Sequence, residues 1–181
     1  FAELVVNISH LAEQITAYCG NGSRWGVSIV YSPEEEPLET AGGIVNALPL
    51  LGTEPFLVVN GDVWIDYPFQ RLLDLAGGGF DRAHLVLVDN PPQHPLGDFV
   101  LQEDGRIVVR AARARGLTYA GVGVYTAGFF EGMAVDKVPL RPLLDREIAA
   151  GRLTGEYHRG QWADVGTPER LQQLDAAVRS V

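Results

Sequence analysis

A single cysteine, Cys19, occurs in 181 residues. No internal disulfide and no cysteine-clustered zinc site can form, which agrees with a reducing compartment and leads us to expect a cytoplasmic protein. Long apolar runs are also missing. The greasiest stretches, such as Phe56–Val59 and Leu85–Val88, fall far short of the roughly 20 residues that span a bilayer. Positive charge is scarce, with 14 Lys and Arg against 23 Asp and Glu and a net charge of −9. Basic side chains gather only at Arg110, Arg113 and Arg115, so binding to a nucleic-acid polymer is not expected. A small anionic ligand remains compatible with this background if a metal, a few cations or backbone amides offset it. No initiator Met and no signal-peptide pattern is present, and Phe1-Ala2-Glu3 runs straight into "LVVNI", so the sequence reads as beginning inside a fold. The four histidines, His10, His84, His94 and His158, lack metal-ligand spacing, and no G-x-S-x-G elbow exists. Each histidine is expected to be structural or on the surface.

What is present alternates. "ELVVNI" (3 to 8) predicts a buried strand, and "SHLAEQITAYCG" a helix with Ser9 as N-cap and Gly20 as its stop. "VSIVYS" (27 to 32) is the next strand, followed by the acidic loop "PEEEPLET", a helix "AGGIVNALPLL" opened by glycines, and the strand "FLVVN". "PFQRLLDLA" adds a helix and "AHLVLV" a strand. Up to about residue 88 the pattern is one of βα units on a parallel sheet, an α/β fold in one domain spanning 1–181. Beyond the proline-rich "DNPPQHPLG", the segment "DFVLQEDGRIVVR" predicts an inserted β-hairpin around Asp104-Gly105. "LTYAGVGVYT" is a strand, "PLRPLLDREIAAG" a helix despite Pro142, and "GEYHRGQWADVG" a strand pair or extended loop. "TPERLQQLDAAVRSV" is an amphipathic helix with Thr167 at N-cap and Pro168 at its first position.

Three segments could carry chemistry. In an open parallel sheet, ligands bind beyond the carboxyl ends of the strands, and Asp62 in "FLVVNGDVWIDY" sits just past such an end. Gly61 is expected to let the backbone turn there; equally, "NGD" reads as a strand-terminating turn. Asp164 in "QWADVGTPERL" lies in an apolar context before a capped helix, where it either pairs, coordinates a ligand, or caps the Gly166-Thr167 turn. Brought together, the two carboxylates form a natural Mg²⁺ site, because Mg²⁺ takes one or two protein carboxylates and completes its shell with water and phosphate oxygens. In "EEEPLETAGGI", Gly42 and Gly43 remove side chains where a flat ligand could approach the backbone, and a helix N-terminus offers free amides. Neither the P-loop nor the dinucleotide glycine pattern is present.

"PLETAGGI", "FLVVNGDVWIDY", "LGDF", "YAGVGVY" and "WADVGTPERL" occur in the order found in sugar-1-phosphate nucleotidyltransferases, and from about residue 3 to 175 the chain resembles that family. The resemblance implies a Rossmann-like α/β fold with a mixed, mostly parallel sheet flanked by helices. Its wording at "ETAGG" and "NGDVW" is most similar to the bacterial uridylyltransferase branch acting on N-acetylmuramate 1-phosphate in cell-wall recycling. Guanylyltransferases acting on mannose 1-phosphate share much of the pattern. The implied substrates are UTP, or another nucleoside triphosphate, and a sugar 1-phosphate. Asp62 and Asp164 would hold Mg²⁺ and form the catalytic pair. Glu34, Glu39, Thr40, Gly42 and Gly43, with Asn60 and Gly61, would meet the nucleotide, while Gly97, Asp98 and Gly121 would lie around the sugar. Glu39 stands where many relatives have glycine. The family's N-terminal glycine-rich loop, with its Arg and following Pro-Lys segment, has no counterpart here. A first strand and triphosphate loop are therefore expected to be missing from the sequence, and without them little or no catalysis is expected. A nucleotide- or sugar-phosphate-binding module without turnover is the alternative.

Overall fold

The apolar run Leu4–Val6 produces a strand, β1 (Glu3–Ile8), of which only Ile8 is buried rather than the whole strand as expected, and which lies parallel to β2 (Ser28–Pro33) in register from Glu3 opposite Ser28 to Ile8 opposite Pro33. Between them runs helix α1 (Ala12–Cys19), ended by Gly20, whose amide bonds Thr16 O. Ser9 does not cap this helix. The N-cap is Leu11, held at φ 57° with no side-chain cap, and its carbonyl receives the amides of Gln14 and Ile15. The turn out of β1 takes two more residues than the serine signal suggested. Helix α2 (Glu39–Leu51) packs on both strands and buries Ala41, Gly42, Gly43, Ile44, Val45 and Ala47. Its glycines lie inside the first turns rather than ahead of them.

These elements, with residues Ala127–Leu144, form one compact unit of the computed structural model, which describes residues 1–77 and 82–179. The second unit, Pro55–Thr126 with Asp145–Val181, carries a four-stranded sheet. Its order is β3 (Phe56–Val59), β8 (Thr118–Tyr125), β5 (Ala83–Val88), β9 (Leu153–Tyr157). β3, β5 and β9 point one way and β8 runs against them, giving a mixed sheet in which three of four strands are parallel in direction. β5 is buried at every position, as its continuous apolar run requires. In β8, Ala120, Gly121 and Val122 stand against Val86 alone, because Tyr119 pairs with Leu87 and Gly123 with Leu85. This bulge centres on Gly121, at φ 73°.

Helix α3 (Gln70–Ala76) seals one face, with Leu72 1% exposed among Tyr67, Val86, Val88, Val122 and Val124. The inserted hairpin is β6 (Phe99–Leu101) and β7 (Ile107–Val109), turning at Asp104-Gly105 with Gly105 at φ 82°. It docks on β9 through Gly155 N to Gly105 O. Pro142 falls in the first turn of helix α4 (Arg141–Ala149), where its missing amide costs no helical hydrogen bond. Residues 153–164 form two strands that do not pair with each other: β9 joins β5, and β10 (Trp162–Asp164) runs antiparallel to β4 (Val63–Ile65). Helix α5 (Pro168–Arg179) begins as its sequence signals, with Arg170 N bonded to Thr167 Oγ1. Among the described residues, no helix is long and apolar enough to cross a membrane.

At the end of α4, Glu147 is 1% exposed and receives Arg146 Nε at 3.0 Å and Arg152 Nε at 2.8 Å. Burial pushes its carboxyl upward, but the hydrogen bonds from Arg152 and Arg146 outweigh burial and hold it below the ordinary value. A depressed carboxyl contributes stability that is complete above its unfolded pKa, near pH ~4.3, and is lost as pH falls through the folded value. Glu147→Gln is expected to lower stability at pH 7 by about 2 kcal/mol, with the gap to wild type closing on acidification below about pH 4, as measured by urea denaturation at a series of pH values.

Candidate active site

The ribbon β4–β10 brings the two predicted aspartates to one place. Asp164 pairs with Val63, and Val165 N donates to Asp62 O at 2.8 Å. Asp62 follows the carboxyl end of β3, where Asn60 N is tied to Gly121 O at 2.8 Å in the bulge of β8. Both carboxylates face the α-carbon of Gly166: a β-carbon there would lie 3.1 Å from Asp164 Oδ1 and 3.3 Å from Asp62 Oδ2. The two acids differ in their partners. Asp164 Oδ1 accepts from Gly166 N at 2.9 Å and Oδ2 from Arg170 Nη1 at 2.6 Å. The exposed Asp62 carboxylate has no side-chain partner among the described residues.

Two hard carboxylates facing one small space suit an oxygen-seeking divalent cation that draws its remaining ligands from water and phosphate. The donor set thus fits Mg²⁺, which Asp62 and Asp164 would hold, although no group of three or more His, Cys, Asp or Glu is assembled among the described residues. Asp164 already has a backbone amide and a guanidinium as partners, and a cation would have to share it with Arg170.

A cavity of about 310 Å³ opens beside the pair, lined by Asn60, Asp62, Asp98, Gly121, Trp162 and Asp164 among others. Asp98 is fixed at both oxygens, by Tyr119 N at 2.9 Å and His94 Nε2 at 3.1 Å. His94 therefore lines the cavity while remaining exposed at the surface, as expected of a structural or surface histidine, and the spacing of four residues from Asp98 was the available signal. The Tyr119 hydroxyl is pushed up to about 12 by burial and shares a 3.0 Å contact with Tyr125 Oη, so the phenol itself stays neutral. Trp162 donates its indole N–H to Ala120 O at 2.9 Å. A second cavity, of about 600 Å³, shares Pro91, Gln93, Trp162 and Asp164 with the first and adds Trp64, Gln161, Gln173 and Arg170. Arg170 was not singled out in the sequence, since an arginine one turn into a helix reads as a solvated residue.

The glycines divide by what they face. Gly121 needs its positive φ, and a β-carbon would press on Asn60 Nδ2 at 2.9 Å and Val63 Cγ2 at 3.0 Å. Gly97, at φ 69°, faces Asn90 Oδ1 and the Leu117 backbone and does not line either cavity. Gly61, expected to permit a sharp turn, does not have a positive φ, and its β-carbon would meet nothing within 4 Å. The fold alone does not require glycine at 61.

In the first unit, Glu34 accepts from Asn7 Nδ2 and Leu38 N, both at 2.9 Å, while Asn7 Nδ2 also reaches Gly43 O at 2.8 Å. Gly43 makes room for this contact, since a β-carbon would sit 2.6 Å from Glu34 Oε1. At Gly42 the close neighbour is the carbonyl of Asp136. Space expected for a flat ligand is thus filled by the protein's own groups at both glycines. Two of the first-turn amides are not free either, because Ala41 N and Gly42 N both donate to Val138 O at 3.1 Å. Thr40 and Glu39 remain exposed, with Glu39 at φ 59°. The left-handed backbone there gives a physical reason for glycine to be favoured at this position.

A sequence profile of the nucleotidyl transferase family matches residues 1–180. The chain is 46% identical over 180 residues, 97% of its length and 78% of the relative's, to an N-acetylmuramate alpha-1-phosphate uridylyltransferase of Neisseria meningitidis serogroup B. It is 28% identical over 177 residues, 92% of its length and 48% of the relative's, to a mannose-1-phosphate guanylyltransferase of Mycobacterium tuberculosis. Among solved structures, HddC from Yersinia pseudotuberculosis matches with a TM-score of 0.76 at 18% identity, covering 97% of this chain and 78% of the other. That likeness shows the fold.

The contrast between the glycines is measurable. Gly121→Ala is expected to cost about 2 kcal/mol in urea denaturation, through an unfavourable φ and the clash with Asn60. Gly61→Ala is expected to stay within about 0.5 kcal/mol of wild type. Equal costs would contradict the assignment.

Proposed function

Because the chain belongs to the nucleotidyl transferase family, we propose that it joins UTP to N-acetylmuramate 1-phosphate and releases pyrophosphate, as a cytoplasmic step in the reuse of cell-wall sugar. The observation that carries this reading is the meeting of Asp62 and Asp164 beside a polar cavity at the carboxyl end of β3. The name of the Neisseria relative supports the choice of base and sugar.

The reaction is an in-line substitution: a phosphate oxygen of the sugar 1-phosphate attacks the α-phosphorus of UTP, and the bond to the pyrophosphate oxygen breaks. Bound Mg²⁺ would neutralise charge developing on the transferred phosphoryl group and orient it. Asp62 and Asp164 would hold the ion, and Gly61, with nothing within 4 Å of where a β-carbon would lie, leaves the backbone open for phosphate approach beside Asn60, whose own amide is committed to Gly121 O. Asp98, fixed through His94 and Tyr119 N, presents a carboxylate to sugar hydroxyls. Gly121 shapes the bulge on which Asn60 rests, and Gly97 holds the turn before Asp98. The amide side chains and two indoles of the larger cavity suit a carbohydrate, whose hydroxyls pair with amides and whose ring faces pack on aromatics. No protein nucleophile is needed, in keeping with a site built from carboxylates, amides and backbone. GTP with mannose 1-phosphate is the second reading, favoured by the Mycobacterium relative.

Pyrophosphate release from UTP, with Mg²⁺ and a panel of sugar 1-phosphates, tests this directly. N-acetylmuramate 1-phosphate is expected to give the highest kcat/KM, and Asp62→Asn to lower kcat at least 100-fold without changing the thermal midpoint by more than about 2 °C. Turnover undiminished in Asp62→Asn, or confined to GTP, would replace the proposal.

A further inference from the structure

Asp164 has no oxygen without a partner. Gly166 N holds Oδ1, Arg170 Nη1 holds Oδ2 at 2.6 Å, and Arg170 Nη2 faces the same Gly166 α-carbon as the two acids, 3.4 Å from where a β-carbon would lie. A guanidinium therefore occupies the rim of the space that a divalent cation would enter. Both members of the ion pair are 30% exposed at the side chain, so the pair is reachable by solvent and can open. Arg170 also lines the 600 Å³ cavity, in which it is the only cationic side chain among the described lining residues.

We propose that Arg170 is an exchangeable counter-ion, a positioning residue that neutralises Asp164 while the cation is away and passes to a phosphate oxygen when cation and nucleotide arrive together. The inference rests on the Mg²⁺ reading for its cation, but not on which base or sugar is used. Electrostatics give the direction. With Arg170 in place, a bare cation meets one guanidinium and two carboxylates, a net charge of −1, and is repelled by the guanidinium at close range. A cation bringing phosphates gives the guanidinium a planar acceptor to move to, for which arginine is suited by its paired N–H donors. Metal and nucleotide binding are thereby coupled through one side chain. A fixed structural role for the Arg170–Asp164 pair makes the opposite prediction, since losing it would disorder Asp164 and weaken the metal.

Mn²⁺ binding, followed by electron paramagnetic resonance of the free ion, separates the two. Arg170→Gln is expected to bind Mn²⁺ alone at least fivefold more tightly than wild type, while its affinity for UTP at saturating Mn²⁺ falls at least fivefold. Arg170→Lys, which keeps the charge, is expected to lie near wild type in the metal measurement, and circular dichroism checks that each variant is folded. Unchanged or weaker Mn²⁺ binding by folded Arg170→Gln overturns the proposal, as does unchanged UTP affinity. Asp62→Asn, measured in parallel, isolates the premise: if it binds Mn²⁺ as wild type does, the metal assignment itself fails.

Discussion

The pairing of β4 with β10 is the constraint on which the rest of the second unit's site depends. Neither strand is long, yet the bond from Val165 N to Asp62 O and the register of Asp164 opposite Val63 place two carboxylates on one side of Gly166. Side chains alone could not hold two like charges at this distance. The backbone ladder does so because its own hydrogen bonds offset the repulsion, and because Gly166 N and Arg170 compensate the charge on Asp164. On the same face of the ribbon as Asp164, Ile65 and Trp162 pack against the core around Leu72 and Val122, so the ladder is anchored to buried apolar surface.

A second constraint is the bulge in β8. Gly121 adopts a backbone conformation that few residues tolerate, and its carbonyl takes the amide of Asn60. Sheet irregularity of this kind re-aims a strand end, here the end of β3 from which Asp62 emerges. The same strand supplies Tyr119 N to Asp98 and Ala120 O to Trp162. One strand therefore fixes three walls of the smaller cavity while its other residues, Val122 and Val124, remain core.

Much of this was legible from residue order. β1 and β5 have the bounds that their apolar runs predict, the Asp104-Gly105 hairpin forms, and Thr167 with Pro168 opens α5. These are cases in which local chemistry and tertiary packing agree. Ser9 misled because capping propensity says nothing about how far a chain must travel before its helix can pack; Leu11 takes the position at the cost of a left-handed backbone. Gly42 and Gly43 advertised open space, but what approaches them are Asp136 O and Glu34, neither of which spacing could place. The approach of Asp62 to Asp164 was what the family resemblance implied, and the i,i+4 spacing of His94 and Asp98 was visible in the sequence, whereas Arg170 was invisible because its role depends on a partner fixed only by the folded backbone.

Trp162 sits where both cavities meet, with its indole N–H committed to a carbonyl and its ring left to sense what fills the space beside it. Indole emission responds to local polarity and to quenching groups. The molecule consequently carries an intrinsic optical reporter at its most chemically loaded spot, and ligand titrations can be followed without attaching a dye.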